Sequence, residues 1–226
     1  MGKNKLKRFA ENQRFEHVVE PKREELQSDF DLKGHWNDKV FKNPNPITLE
    51  LGCGNGEYTV GLAQQYPERN FIGVDIKGAR IWRGAKTVEE NEIGNAAFLR
   101  CQIEMLPQAF APNEVSEIWI TFPDPQIKFR RQKHRLTHPH FLRIYQSVLG
   151  KEGLVHLKTD SEFLHGYTQG ILYAYEQEIL EAYFDIDFQV QHENSPLKTI
   201  QTHYEKLFRK EGKAITYIKF KLPNAF

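Results

Sequence analysis

The stretch Thr48-Leu49-Glu50-Leu51-Gly52-Cys53-Gly54-Asn55-Gly56 joins an apolar run to three glycines at alternate positions, and a helical pattern opens at Glu57. Strand, tight turn and helix in that order suit a nucleotide-like ligand. Glycine permits positive φ and close approach where a Cβ would collide. The helix then aims its first amides at whatever lies above the turn. Dinucleotide sites use G-x-G-x-x-G, with the helix on a pyrophosphate. Here the spacing is G-x-G-x-G, and Glu50 just ahead of it would repel a pyrophosphate. A carboxylate there suits the cationic amino group of S-adenosylmethionine. Asp75 closes the next apolar run (Phe71-Ile72-Gly73-Val74-Asp75), where an acid grips ribose hydroxyls. Glu50, Gly52, Gly54, Gly56 and Asp75 are therefore candidate cofactor contacts.

A second chemical signal is Phe122-Pro123-Asp124-Pro125. Prolines on both sides restrict the backbone and direct the Asp124 side chain out of a strand end. A carboxylate so held can accept two donors from a flat base, such as the ring N1–H and exocyclic amine of guanine; the structural alternative is an Asp capping a turn. Gln102 and Glu104 follow another strand, and either could bond the amine of an adenine ring. Asp160 ends a fifth strand, and Thr202 and Glu205 share one helix face. The last two could bond ribose or base, or could form a capping box.

These residues need elements to carry them. Apolar runs at about 47–52, 70–76, 96–102, 115–122, 154–160, 186–191 and 214–222 read as strands. Helical patterns cover about 57–66, 77–92, 139–150, 161–182 and 199–211, with a short helix near 34–41. Strands alternating with helices imply an α/β, Rossmann-like, seven-stranded and mostly parallel sheet with helices on both faces. The final strand is expected to be an antiparallel edge strand. Ligands of such sheets bind beyond the carboxyl ends of the strands, and Glu50–Gly56, Asp75, Gln102–Glu104, Asp124 and Asp160 all fall at those ends.

The chain has 226 residues, enough for one such domain at 34–226, after an arm over 1–33 that mixes Lys, Arg and Glu without a clean period. We expect the arm to be partly disordered without a partner. Mean hydropathy is −0.62, and no apolar run reaches the length of a membrane span. The N-terminus lacks the apolar core of a secretory signal. Cys53 and Cys101 are expected to be unpaired thiols of a reducing cytoplasm, and no metal-ligand spacing is present. A net charge of +1 conceals two basic patches. One is the arm, with Lys3, Lys5, Lys7, Arg8 and Arg14. The other runs from Gln126 to Arg143 and holds Lys128, Arg130, Arg131, Lys133, Arg135 and Arg143 without an acid. Basic patches on a neutral chain point to a polyanion partner.

From Glu50 to Phe208 the chain resembles the bacterial tRNA (guanine-N7)-methyltransferases, class I enzymes that use S-adenosylmethionine. The resemblance rests on Glu50–Gly56, on Phe122-Pro123-Asp124-Pro125 with Lys128 and the run to Thr137, on Leu157-Lys158-Thr159-Asp160, and on Thr202-His203-Tyr204-Glu205-Lys206. It implies cofactor contacts from Glu50, Asp75, the Gln102 position and Asp124. It also implies substrate contacts from Lys128, Asp160 and Thr202 to Glu205, with Asp124 as the catalytic position. The chain departs from the family pattern at Asp75, where Glu is usual, at Gln102, where Asp is usual, and at Gln126-Ile127, where Trp-Pro is usual. The implied partner is tRNA, with no membrane, bound by a monomer or homodimer. The implied reaction is methylation of N7 of a variable-loop guanine.

Overall fold

Successive side chains of a strand face opposite ways, and this alternation builds two cores. Ile47, Leu49 and Leu51 join Ile72, Val74, Ile118 and Ile120 on one face of the sheet. Phe71, Phe98 and Trp119 join a second buried cluster on the other. The protein is described here from a computed structural model covering residues 2–226, with side chains from residue 5 onward.

The elements run α1 (Gly2–Asn12), β1 (Val18–Val19), α2 (Arg23–Gln27), β2 (Ile47–Leu51), α3 (Glu57–Gln65), β3 (Asn70–Val74) and α4 (Gly78–Glu90). Next come β4 (Ala96–Leu99), α5 (Leu106–Ala109), β5 (Val115–Thr121), α6 (Pro139–Val148), β6 (Leu149–Thr159) and α7 (Glu162–Ala174). The chain continues with β7 (Ile179–Tyr183), α8 (Ile186–Gln189), α9 (Pro196–Thr199), α10 (His203–Lys210) and β8 (Thr216–Phe220). Strand order is β1-β4-β3-β2-β5-β6-β8-β7. The chain leaves β2 toward β3 on one side and returns to β5 on the other, so the order reverses at β2. That reversal opens a crevice above the carboxyl ends of β2 and β5.

The α/β sheet class agrees with the sequence reading, and several details differ. The sheet has eight strands among the described residues, because Val18–Val19 pair in parallel with Phe98–Leu99. β8 is antiparallel as expected, but it lies between β6 and β7 rather than at the edge. The helix expected over 161–182 stops at Ala174, and Glu176 turns the chain with φ +52°. Residues 179–183 then form β7, tied to β8 by the Glu181–Lys219 ion pair at 3.1 Å and the stacked Tyr183–Tyr217 rings. Such cross-strand pairs stabilise a sheet locally. The strand expected at 186–191 is instead the single turn α8, capped by Asp185.

The basic N-terminal segment carries elements of its own. α1 lies along α4, where the Asn12 amide donates to the Gly78 carbonyl at 2.9 Å and the Trp82 indole to Glu11. The Arg8 guanidinium stacks 4.6 Å over the Trp82 ring. A pattern without clean helical period sufficed because the partners are single polar and aromatic contacts rather than an apolar stripe. Lys3 of this patch lies outside the described side chains.

Candidate active site

The glycine turn is held from the β3 side and open on the other. The Gly52 and Cys53 amides both donate to the Val74 carbonyl, at 2.8 and 3.1 Å. Asp75, 9% exposed, accepts from the Gly54 amide at 3.0 Å and from the Lys77 amide at 2.8 Å. Gly52, Gly54 and Gly56 all have positive φ, which a side chain would strain. A Cβ at Gly56 would also meet the Phe98 ring at 2.7 Å, whereas one at Gly52 would meet nothing within 4 Å. Gly56 is thus required by packing. The room above Gly52 is what a close-lying ligand needs. Cys53 in the same turn is an unpaired buried thiol, and its burial raises its pKa well above the ordinary value.

Glu50 lies one layer deeper than expected. It faces α3, where its carboxylate accepts from the Thr59 amide at 2.8 Å and from the Thr59 hydroxyl. Its other oxygen accepts from the Thr121 hydroxyl at 2.7 Å. Burial pushes its pKa up to about 7, against the lowering effect of these donors. A raised carboxyl pKa means that the fold disfavours the charged form. This term subtracts from stability as pH rises from the unfolded value through about 7, and a cation bound above the turn would oppose that trend.

β2 and β5 are parallel neighbours with Leu51 opposite Ile120, so Gly52 and Thr121 leave the sheet side by side. Gly52, Gly54, Thr121, Phe122, Arg80 and Thr202 are among the walls of one cleft. The chain then passes through Phe122, at φ +48°, to the exposed Asp124, and turns at Gln126, at φ +46°. Such left-handed backbone in non-glycine residues is costly and concentrates at functional sites. Its supports are visible. The Phe122 amide donates to the Lys158 carbonyl at 2.8 Å, and Asp124 Oδ1 accepts from the Gln126 amide at 3.0 Å. Arg135 donates to the Gln126 carbonyl at 3.1 Å, with its guanidinium 4.7 Å over Phe163 and 4.3 Å over Tyr167. At 4% exposure Arg135 is an internal clamp on this loop, apart from the solvent-facing cations of its segment.

Gln102 and Glu104 are both exposed beyond the end of β4, on either side of a 3₁₀ turn start. Lys128, Arg130, Arg131 and Lys133 are exposed on and before the 3₁₀ turn Phe129–His134. Asp160 directly follows β6 and pairs with Lys213 at 3.2 Å. Thr202 caps α10, accepting from the Glu205 amide at 3.1 Å. Glu205 departs from the expected substrate contact, because its side chain is fully buried. One oxygen accepts from Lys158 Nζ at 2.8 Å and the other from Arg209 at 3.0 Å. Lys158, itself fully buried, also donates to the Leu197 and Ile200 carbonyls at 2.8 and 3.2 Å. The pair thereby ties the cleft wall at 197–205 to β6. Sequence reasoning did not assign Lys158 this part; a lysine inside the apolar run of β6 was the available signal.

A sheet whose order reverses beside a glycine turn, with an acid closing β3 and an antiparallel strand inserted after β6, defines a Rossmann-like class I methyltransferase fold. The chain resembles the solved 16S rRNA methyltransferase KamB in fold, with a TM-score of 0.61 at 13% identity over 81% of this chain and 90% of that one. A family model described as "Putative methyltransferase" matches residues 44–218. The protein named tRNA (guanine-N(7)-)-methyltransferase from Christiangramia forsetii is 58% identical over 98% of this chain and 99% of its own length. The protein of the same name from Bacteroides fragilis is 46% identical over 99% of this chain and 87% of its own. The chain belongs to the tRNA (guanine-N(7)-)-methyltransferase family.

Proposed function

We propose that the protein transfers the methyl group of S-adenosylmethionine to N7 of a variable-loop guanine in tRNA. The observation that carries this is the single cleft bounded by the open glycine turn and by Thr121–Phe122, which lead into the strained loop bearing Asp124. On this reading the Gly52–Gly54 backbone lies against the donor and Asp75 takes its ribose. Gln102 or Glu104 meets the adenine. Glu50 supplies negative charge from beneath, through Thr121. The donor, once bound, offers an electrophilic sulfonium methyl. Guanine N7 carries a lone pair in the ring plane and no proton, so no general base is needed. The work of the chain is positioning and electrostatics. Asp124 accepts from guanine N1–H and the exocyclic amine, and its charge favours the cationic ring that methylation creates. The test is methyl transfer to unmodified tRNA followed by location of the methylated base. Transfer to another atom or base, or none, overturns the reading.

Lys128, Arg130, Arg131 and Lys133 would hold phosphates on this reading. Neutralising all four should lower the slope of log Kd against log salt by about three to four units, from the roughly 0.7–0.9 per phosphate contact expected of nucleic acids. An unchanged slope would exclude them as phosphate ligands. Arg135 should behave differently, as a positioning residue. Arg135→Ala should reduce kcat by about tenfold to a hundredfold through loop displacement, while the salt slope and donor affinity stay near native. Arg135→Lys should recover little, because an ammonium cannot fork and stack as guanidinium does. A lost salt-slope unit with kcat intact would make Arg135 a phosphate contact instead.

A further inference from the structure

Two large apolar side chains stand in solvent on either side of Lys128. Ile127 is 66% exposed and Phe129 79% exposed. Apolar residues scattered singly over a surface are ordinary. These two lie within three residues of each other, interleaved with the exposed cations Lys128, Arg130 and Arg131, in a run without an acid. The backbone that leads into them is fixed, because Arg135 holds the carbonyls of Gln126 and Ile127 at 3.1 and 3.4 Å. They also follow directly on the loop that presents Asp124. An aromatic face set among cations is the surface that an unpaired nucleic-acid base recognises: the ring stacks and the cations take the flanking phosphates.

A variable-loop guanine whose N7 is engaged in a tertiary contact of the folded tRNA must be freed before it can reach a donor, and the vacated step is costly to leave empty. Apolar side chains are able to enter a base stack, as they do between the steps of bent duplexes. We propose that Phe129, backed by Ile127, is an apolar wedge that enters the tRNA stack at the step the target guanine vacates. The inference rests on the function proposed above and adds the means by which the base is held out. The ligand chemistry is the π face of the neighbouring RNA base.

The test compares F129A and F129W with the unaltered protein on two RNAs, folded unmodified tRNA and the same tRNA with the tertiary partners of the target guanine replaced, so that the base is already loose. F129A should lower kcat/KM on folded tRNA by about tenfold, the scale of one lost base–aromatic stack, and F129W should stay near native. On the loosened tRNA the F129A deficit should shrink to within about twofold, since the opening no longer needs support. Equal deficits on both RNAs, or no deficit on folded tRNA, would overturn the wedge. Failure of the unaltered protein to methylate guanine in folded tRNA would instead sink the functional reading beneath it.

Discussion

Asp124→Ala should reduce methyl transfer by about a thousandfold or more while donor binding remains measurable by calorimetry. Loss of one preorganised electrostatic group at a reacting centre costs about 10²–10³ in kcat, and on the proposed reading the same group also orients the base. The carboxylate is exposed, and among the described residues its one hydrogen bond comes from the Gln126 amide at 3.0 Å. Phe122 keeps its own anchor at the Lys158 carbonyl and Gln126 keeps Arg135, so removal of the carboxylate leaves the cleft walls in place. Asp124→Asn separates the two duties. The amide keeps one acceptor for the base and gives up the charge, so it should retain more activity than alanine and far less than aspartate. A near-native rate for either variant would remove Asp124 from the chemistry.

Glu205→Ala should lower stability by about 3–5 kcal/mol, read as a shift in the denaturant midpoint at constant slope. Both side chains of the Lys158–Glu205 pair are fully buried at 2.8 Å. Burial pulls the Lys158 pKa down to about 8 even with Glu205 raising it. Removing the carboxylate strands an ammonium in the core, the costly way to break such a pair. Lys158→Met combined with Glu205→Gln should recover part of the loss, because an apolar chain of similar length replaces the stranded charge, while the Leu197 and Ile200 carbonyls lose their donor. Were Glu205 a direct tRNA contact, alanine would leave the midpoint unmoved and weaken RNA binding. The two outcomes do not overlap.

The parts of the site that were legible in sequence are those made by consecutive residues. Gly52, Gly54 and Gly56 announce a turn because backbone conformation is local, and Asp75 announces a strand end because an apolar run stops there. Pro123 and Pro125 similarly declare Asp124. What was not legible depends on residues that meet only after folding. Arg135 reads as one more cation in a basic run; its aromatic partners Phe163 and Tyr167 arrive on α7. Glu205 reads as an exposed helix residue three after Thr202, until Lys158 reaches it from β6. β7 escaped because 179–183 is short and its Ile179-Leu180-Glu181-Ala182-Tyr183 run reads equally well as a continuation of the helix before it. Its place is settled by pairing with β8, and α8 then takes the stretch that local pattern had marked as strand.

β8 is synthesised after both strands it joins. As translation proceeds, β6 and β7 leave the ribosome with bare hydrogen-bonding edges, and each waits for the same segment. Until Thr216–Phe220 emerge, the nascent chain carries an open slot that another unfinished chain could fill.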